Sequence, residues 1–178
     1  MPFGDSISEL VPLAPARILR EATTDGTYTA PYQLIDFNAN FINLVQPYDL
    51  VVNVTDSTST LVVKVIDDHH LRLREDIMGA NKQYRIVRGR GIVLRPGYLT
   101  EWTIQNIFSP GKQLYDVKVF ATDGVRMEPL FEAGETGLTK TGLVLKATYN
   151  KGIAIFNYDT VSRNVIIEGL DKTLRTEQ

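Results

Sequence analysis

The sequence predicts an all-β protein of two small antiparallel β domains, the first barrel-like and the second β-sandwich-like or jelly-roll-like, with an extended N-terminal arm. Three observations carry this. Short runs rich in Val, Ile, Leu, Thr and Tyr recur from Tyr28 onward with turn residues between them. The runs are closely spaced, as in sequential hairpins. Gly89, Gly91, Pro96 and Gly97 gather near the middle of the chain, where a domain boundary fits. The expected divisions are an arm at 1–16, a first domain at 17–92, a second at 97–170 and a polar tail at 171–178.

In the arm, Pro2, Pro12 and Pro15 oppose regular helix and remove backbone donors. Phe3, Ile7, Leu10, Val11 and Leu13 nevertheless call for burial. A frayed terminus and an arm docked on a neighbouring subunit are both open readings. The first domain then reads as strands at Leu50–Val54, Leu61–Ile66, Leu71–Arg74 and Tyr84–Val87. Turns separate them at Asp56–Ser59, Asp67–His70 and Gly79–Lys82. Leu71–Arg74 alternates apolar and basic residues, the pattern of a half-buried strand.

Thr100–Phe108 fits either a short helix capped by Thr100 or a strand. Leu114–Phe120 alternates and runs into the hairpin signal Asp123–Gly124. Gly134–Gly142 reads as a loop, and Leu143–Tyr149, Ile153–Tyr158 and Val165–Glu168 complete the second domain.

Composition narrows the function. The chain has 178 residues, 43% hydrophobic and 22% charged, enough for a true core. A formal net charge of −2 does not call for nucleic acid or an anionic membrane as the main partner. The absence of cysteine removes disulfides, thiolate metal sites and a thiol nucleophile. No apolar run approaches the roughly 18 residues of a membrane span. The N-terminus lacks the basic and apolar regions of a signal peptide, so folding in a cytoplasm is expected.

Few residues suggest chemistry. Gly134-Glu-Thr-Gly-Leu-Thr-Lys140-Thr141 superficially resembles a phosphate loop, but Thr139 occupies the glycine position before the lysine and a strand, not a helix, follows. Asp67-Asp68-His69-His70 offers four metal-ligand types. Neighbours on a strand face opposite ways, so a polar turn explains them better. Carboxylate pairs such as Glu132 with Glu135, or Asp36 with Asp49, arise by chance among 21 acidic residues. Trp102, Tyr149 and Tyr158 suit a carbohydrate platform, but better a core. Asn53-Val54-Thr55 matches a glycosylation sequon inside an expected strand and is set aside. Lys82, Arg85, Arg88, Arg90 and Arg95 form a basic stretch. A solvated strand edge or a contact with an acidic neighbour is favoured over phosphate binding. No catalytic, cofactor-binding or metal-ligating residues are assigned, and no cofactor is expected.

Leu34–Val87 resembles a module of tailed-bacteriophage virion proteins. The likeness rests on Asp36 and Asn40-Phe41, the Asp49–Asp56 strand and turn, a Val-x-x-Val strand, the Leu-x-Leu of Leu71 and Leu73, an Asp-Ile segment at Asp76-Ile77, and a closing Tyr84-x-Ile86. Gln46-Pro47-Tyr48 departs from the pattern, where a glycine often precedes the aspartate. The resemblance covers about a third of the chain. It implies a small antiparallel barrel serving as a scaffold in rings, collars, baseplates or fibre attachments, with no activity and no cofactor.

The expected function is therefore a non-enzymatic structural virion subunit in the tail, neck or baseplate, assembled in the host cytoplasm. Its partners would be copies of itself and other virion proteins, with no membrane or specific nucleic acid. The expected interface residues are Phe3, Leu10 and Leu13 on the arm and Arg85, Arg88 and Arg90 on the basic edge. The alternatives are a capsid decoration protein, a fibre-type module binding a host glycan or receptor, and a glycan hydrolase.

Overall fold

The computed structural model describes residues 6–94, 101–106, 115, 117–122, 127–129, 143–146 and 152–170. These contain fourteen strands and no helix, so the chain is all-β. It divides into two compact units: Ala16–Gly89, and Met1–Pro15 together with Arg90–Gln178. The boundary at Gly89/Arg90 falls at the start of the expected linker, and 90–94 form a strand of the second unit.

The unit of residues 16–89 is one six-stranded antiparallel sheet. Its strands are β2 (Arg17–Thr23), β3 (Gln33–Ile35), β4 (Leu50–Asn53), β5 (Thr58–Val65), β6 (His70–Leu73) and β7 (Gln83–Arg88), in the order β2-β7-β4-β5-β6-β3. The period-2 pattern sets the faces. On β6, Leu71 and Leu73 are buried while Arg72 is exposed. Leu71 and Leu73 join Leu34, Phe41, Val51, Val62, Tyr84 and Ile86 in one core. Each such fully buried aliphatic side chain contributes roughly 1.5–3 kcal/mol. On β4 all four residues are buried, which explains its unbroken apolar run. A bulge between Val62 and Lys64 turns Val62 inward toward Leu73 and Lys64 outward beside Arg72.

The turns follow from local chemistry. Asn53 is fully buried and closes the β4–β5 turn. Its amide donates to Asp56 Oδ2 (2.8 Å) and Ile77 O (2.7 Å), and its Oδ1 accepts the Asp56 N–H (3.0 Å). The amide of the Asn53 sequon is thus buried and bonded in the folded chain. Asp49 accepts the Gln46 N–H (2.9 Å) through Oδ2 and so shapes the chain entering β4.

The sheet does not end as an open ribbon, because its outer strands β2 and β3 are tied together. The Asp25 N–H donates to Ile35 O (3.0 Å). Beyond β3, Asp36 accepts from Arg20 Nη2 (2.7 Å), the Tyr84 hydroxyl (2.5 Å) and the Asn38 N–H (2.8 Å). Arg20 Nε also donates to the Tyr84 hydroxyl (2.7 Å). One buried carboxylate thus joins β2, β7 and the end of β3.

The second unit holds two four-stranded antiparallel sheets, a sandwich-like composition. One has the order β1-β14-β9-β12, from β1 (Ser6–Leu13), β9 (Glu101–Asn106), β12 (Leu143–Lys146) and β14 (Arg163–Leu170). The other has the order β11-β10-β13-β8, from β8 (Arg90–Leu94), β10 (Val117–Thr122), β11 (Met127–Pro129) and β13 (Gly152–Asn157). Segment 101–106 is a strand, resolving the helix-or-strand ambiguity, because it pairs on both sides with β14 and β12. Gly91 is required where β8 meets β13, since a Cβ there would strike the Ile155 carbonyl. Phe120, Phe156 and Tyr158 cluster, with ring centroids 5.9 and 6.5 Å from Phe120.

The arm reading is corrected for residues 6–13. They form β1, paired with β14 from Ser6↔Leu170 to Leu13↔Arg163. Pro12 costs little at that sheet's edge, where one side of the strand needs no donor. Asn157 donates to Ala14 O (3.1 Å) and Val161 O (2.9 Å), and Ser162 Oγ donates to Leu13 O (3.0 Å), fixing the end of the strand.

Burial pushes the Asp36 carboxyl upward, but hydrogen bonds from Tyr84, Arg20 and the Asn38 N–H outweigh it and hold the group below its ordinary 3.8. Its stabilising contribution is complete above that ordinary value and is lost as pH falls through the depressed folded value. Asp36→Asn is expected to cost about 3 kcal/mol at neutral pH, because it leaves Arg20 beside a neutral partner in a buried network. Urea unfolding of both proteins from pH 7 downward checks this: the gap between them should narrow only below the ordinary carboxylate range.

Candidate interaction surface

The basic stretch does not act as one edge. Arg85 and Arg88 lie on β7, which is interior to the sheet between β2 and β4. Arg85 pairs with Glu21 across β2–β7 (2.5 Å). Arg88 is a structural tie: it reaches the buried Asp49 with Nε (3.0 Å) and Nη2 (2.8 Å), and donates from Nη2 to Leu44 O (3.0 Å). Burial outweighs the help from Arg88 and raises the Asp49 carboxyl above its ordinary range. Lys82 pairs with Asp56 (2.9 Å). Arg90 is exposed on β8, in the other unit. Leu13 is only 1% exposed, so it is a core residue, not a docking one. Leu10 lies on β1 opposite Ile166. Phe3 and Arg95 lie outside the described residues, as do Glu132, Glu135, Tyr149, the Gly134–Gly142 loop and the tail.

The Asp67–His70 segment forms the β5–β6 turn. Asp67 Oδ1 accepts the His69 N–H (2.8 Å) and meets His70 Nδ1 (2.7 Å), while His69 Nδ1 lies 3.0 Å from Ala39 O. The two imidazoles thus have different partners, and no group of three metal-ligand side chains occurs among the described residues. Asp36 and Asp49 are each committed to an arginine. Tyr158 is buried, as a core residue.

A different surface emerges on the outer face of β3, β6 and β5. Phe37 is its hub, with the Tyr28 ring 5.6 Å away, His69 at 5.7 Å and His70 at 5.8 Å. The Tyr28 and His70 rings stand nearly perpendicular to Phe37, the favourable edge-to-face arrangement. Tyr28 is 63% exposed and Phe37 44%. Gln33 stands opposite Arg72 on the adjoining strand pair, and Arg72 lies over the Tyr32 ring, 5.3 Å from its centroid. Tyr32 has a left-handed backbone (φ 59°), which costs free energy in a bulky residue. It is pinned there by donation to Asp76 Oδ1 (2.9 Å) and acceptance from the Leu73 N–H (2.8 Å). Lys64 faces outward beside Arg72, and Arg74 continues the alternation one step past β6. Ile66, also exposed, borders His70 through its N–H to His70 O (3.0 Å).

Comparison with protein-family models and with curated proteins finds no match for this chain. No helix among the described residues is long and apolar enough to cross a membrane.

Sequence reasoning missed this surface because it treated Leu71–Arg74 only as a half-buried strand. The usable signal was the outward set of that alternation, His70, Arg72 and Arg74, beside the aromatic residues Tyr28, Tyr32 and Phe37.

The two kinds of arginine predict opposite behaviour. Arg88→Ala strands a buried carboxylate and should cost about 3 kcal/mol at neutral pH. That cost should shrink in acid as pH falls through the raised value of Asp49, since the protonated carboxyl needs no cation. Arg72→Ala should stay within about 0.5 kcal/mol of the parent. Thermal and urea melts of both variants at neutral and acid pH separate the two cases.

Proposed function

We propose that the chain is a structural subunit of a tailed-phage particle, in the tail, neck or baseplate, and that it works through protein–protein interfaces without catalysing a reaction. The observation that carries this reading is the preorganised aromatic and arginine surface on β3, β6 and β5. Tyrosine and arginine are the residues that dominate binding energy at protein interfaces, and rings already fixed against one another lose little entropy on binding. The resemblance of Leu34–Val87 to virion modules gives the setting. The all-β fold, with β1 paired along its length to β14, suits a structural part.

A second reading, recognition of a host glycan, draws on the same exposed Tyr28 and Phe37, since sugar rings stack on aromatic faces. Glycan-array binding abolished by Tyr28→Ala would favour it over assembly.

The interface reading predicts a discrete oligomer of the full-length chain by light scattering at micromolar concentration. A monomer at every concentration and salt condition would count against self-assembly. Removal of residues 1–16 is not a clean test, because it deletes β1. That truncation should instead unfold or loosen the second unit, seen as a lower melting temperature and faster proteolysis.

A further inference from the structure

We infer that the uncharged surface of residues 26–48, centred on Phe37 and Ile42, is a two-fold contact between copies of this chain. The inference rests on the interface reading above and names the partner, the surface and the symmetry.

Charge sets this segment apart. Charged side chains make up 22% of the chain, yet residues 26–48 hold only one, Asp36. Asp36 is buried and paired with Arg20, so it puts no charge on the surface. The same segment supplies four of the large hydrophobic side chains left exposed among the described residues: Tyr28, Tyr32, Phe37 and Ile42. Ile42 is 59% exposed. Loss of charge together with gain of aromatic residues is the composition of an interface core. A nucleic acid or an anionic membrane would need cations that the segment lacks. A sugar offers hydroxyls, whereas Ile42 gains only from an apolar partner.

The backbone explains why these side chains point outward. Ala39, Phe41 and Val45 turn into the core, and Asn38, Asn40 and Ile42 between them are left outside. The Phe41 N–H donates to Asp68 O (2.8 Å), while Phe41 O accepts from the Leu44 and Val45 N–H groups (3.1 and 2.8 Å). These bonds fix the segment against the β5–β6 turn. Phe37 is held beside the same turn by its ring contacts with His69 and His70. A surface ordered in advance loses little entropy on binding.

Self-complementarity selects a second copy and a two-fold axis. In a two-fold contact the same patch meets itself, so each group must suit its own kind or a neighbour of opposite sense. Apolar side chains meet this condition, and a patch of one charge sign does not. The Asn40–Asn43 pair meets it as well. Asn43 Nδ2 donates to Asn40 Oδ1 (3.0 Å), so Asn40 Nδ2 as donor and Asn43 Oδ1 as acceptor are not used within the pair. Both residues are exposed. An axis passing beside them sets donor on acceptor twice. The charges bordering the surface do not oppose the contact, because they are of both signs: Lys64 and Arg72 on β5 and β6, Asp67 and Asp68 in the turn between them.

The test uses the full chain and native mass by light scattering over a range of concentration. The parent should associate in pairs. Ile42→Asp and Ile42→Lys should each weaken pairing at least about tenfold, because the axis brings each new charge near its own copy. Mixed one to one, the two variants should regain pairing, since opposite charges then meet. A contact between unlike faces has no such rescue by two changes at one position. Val54→Asp, which adds the same charge at an exposed apolar residue beyond the far end of β4, should leave pairing unchanged. Circular dichroism of each variant should match the parent. Association unchanged by both Ile42 variants, or variants that stay apart when mixed, would overturn this inference and leave the interface reading standing. A parent that is a single copy at every concentration would overturn it together with self-assembly. Glycan binding by such a chain, lost in Phe37→Ala, would assign the surface to a sugar instead.

Discussion

The Asp36 carboxylate is the constraint on which the first unit depends. A six-stranded sheet with free outer strands would expose two rows of unpaired backbone groups. Here β2 and β3 are drawn together, and the group that does this is ionised and 2% exposed. Such a charge is tolerated only when its partners replace the lost water. Arg20 supplies the opposite charge, Tyr84 a hydroxyl and Asn38 a backbone donor. The partners come from β2, β7 and the turn after β3, so no one of them can be placed unless the sheet has curled. The network therefore specifies geometry as much as it stabilises it.

Asp49 and Arg88 make a second tie of similar parts with a different balance. Asp36 has three donors and stays below the ordinary carboxylate range; Asp49 is more deeply desolvated and rises above it. The two act oppositely in acid. Asp36 loses its contribution as pH falls through its depressed value, whereas for Asp49 the neutral form is the easier one to keep folded. Of the two ties, Asp49 is the first to take up a proton as pH falls and Asp36 the later one.

How much of this was legible in the sequence depended on whether the signal was local. The strands at Leu50–Asn53, Thr58–Val65, His70–Leu73 and Gln83–Arg88 followed from alternation and turn residues, and they lie where those patterns put them within a few residues. The boundary at Gly89 was marked by glycine and proline. The pairing of β1 with β14 was not legible, because it joins segments more than 140 residues apart and Pro12 argued against a ladder. The roles of Arg85 and Arg88 were misassigned for the same reason. Five basic residues in one stretch look like a shared surface, but Lys82, Arg85 and Arg88 each hold a carboxylate far away in sequence and Arg90 belongs to the other unit.

The surface on β3, β6 and β5 inverts that logic. A cation buried in a network has already spent its charge on its own chain, so its presence says nothing of partners. A surface cation that forms no ion pair among the described residues keeps its charge available to a partner. Arg88 and Arg72 are the same residue type with two strands between them in one sheet, yet Arg88 holds a buried carboxylate while Arg72 lies over the surface ring of Tyr32. The same distinction explains the aromatic residues: Phe41 and Tyr84 fill the core, while Phe37 and Tyr28 lock against each other at the surface without being covered. Rings already fixed against one another and cations held at the surface are the parts a recognition surface needs.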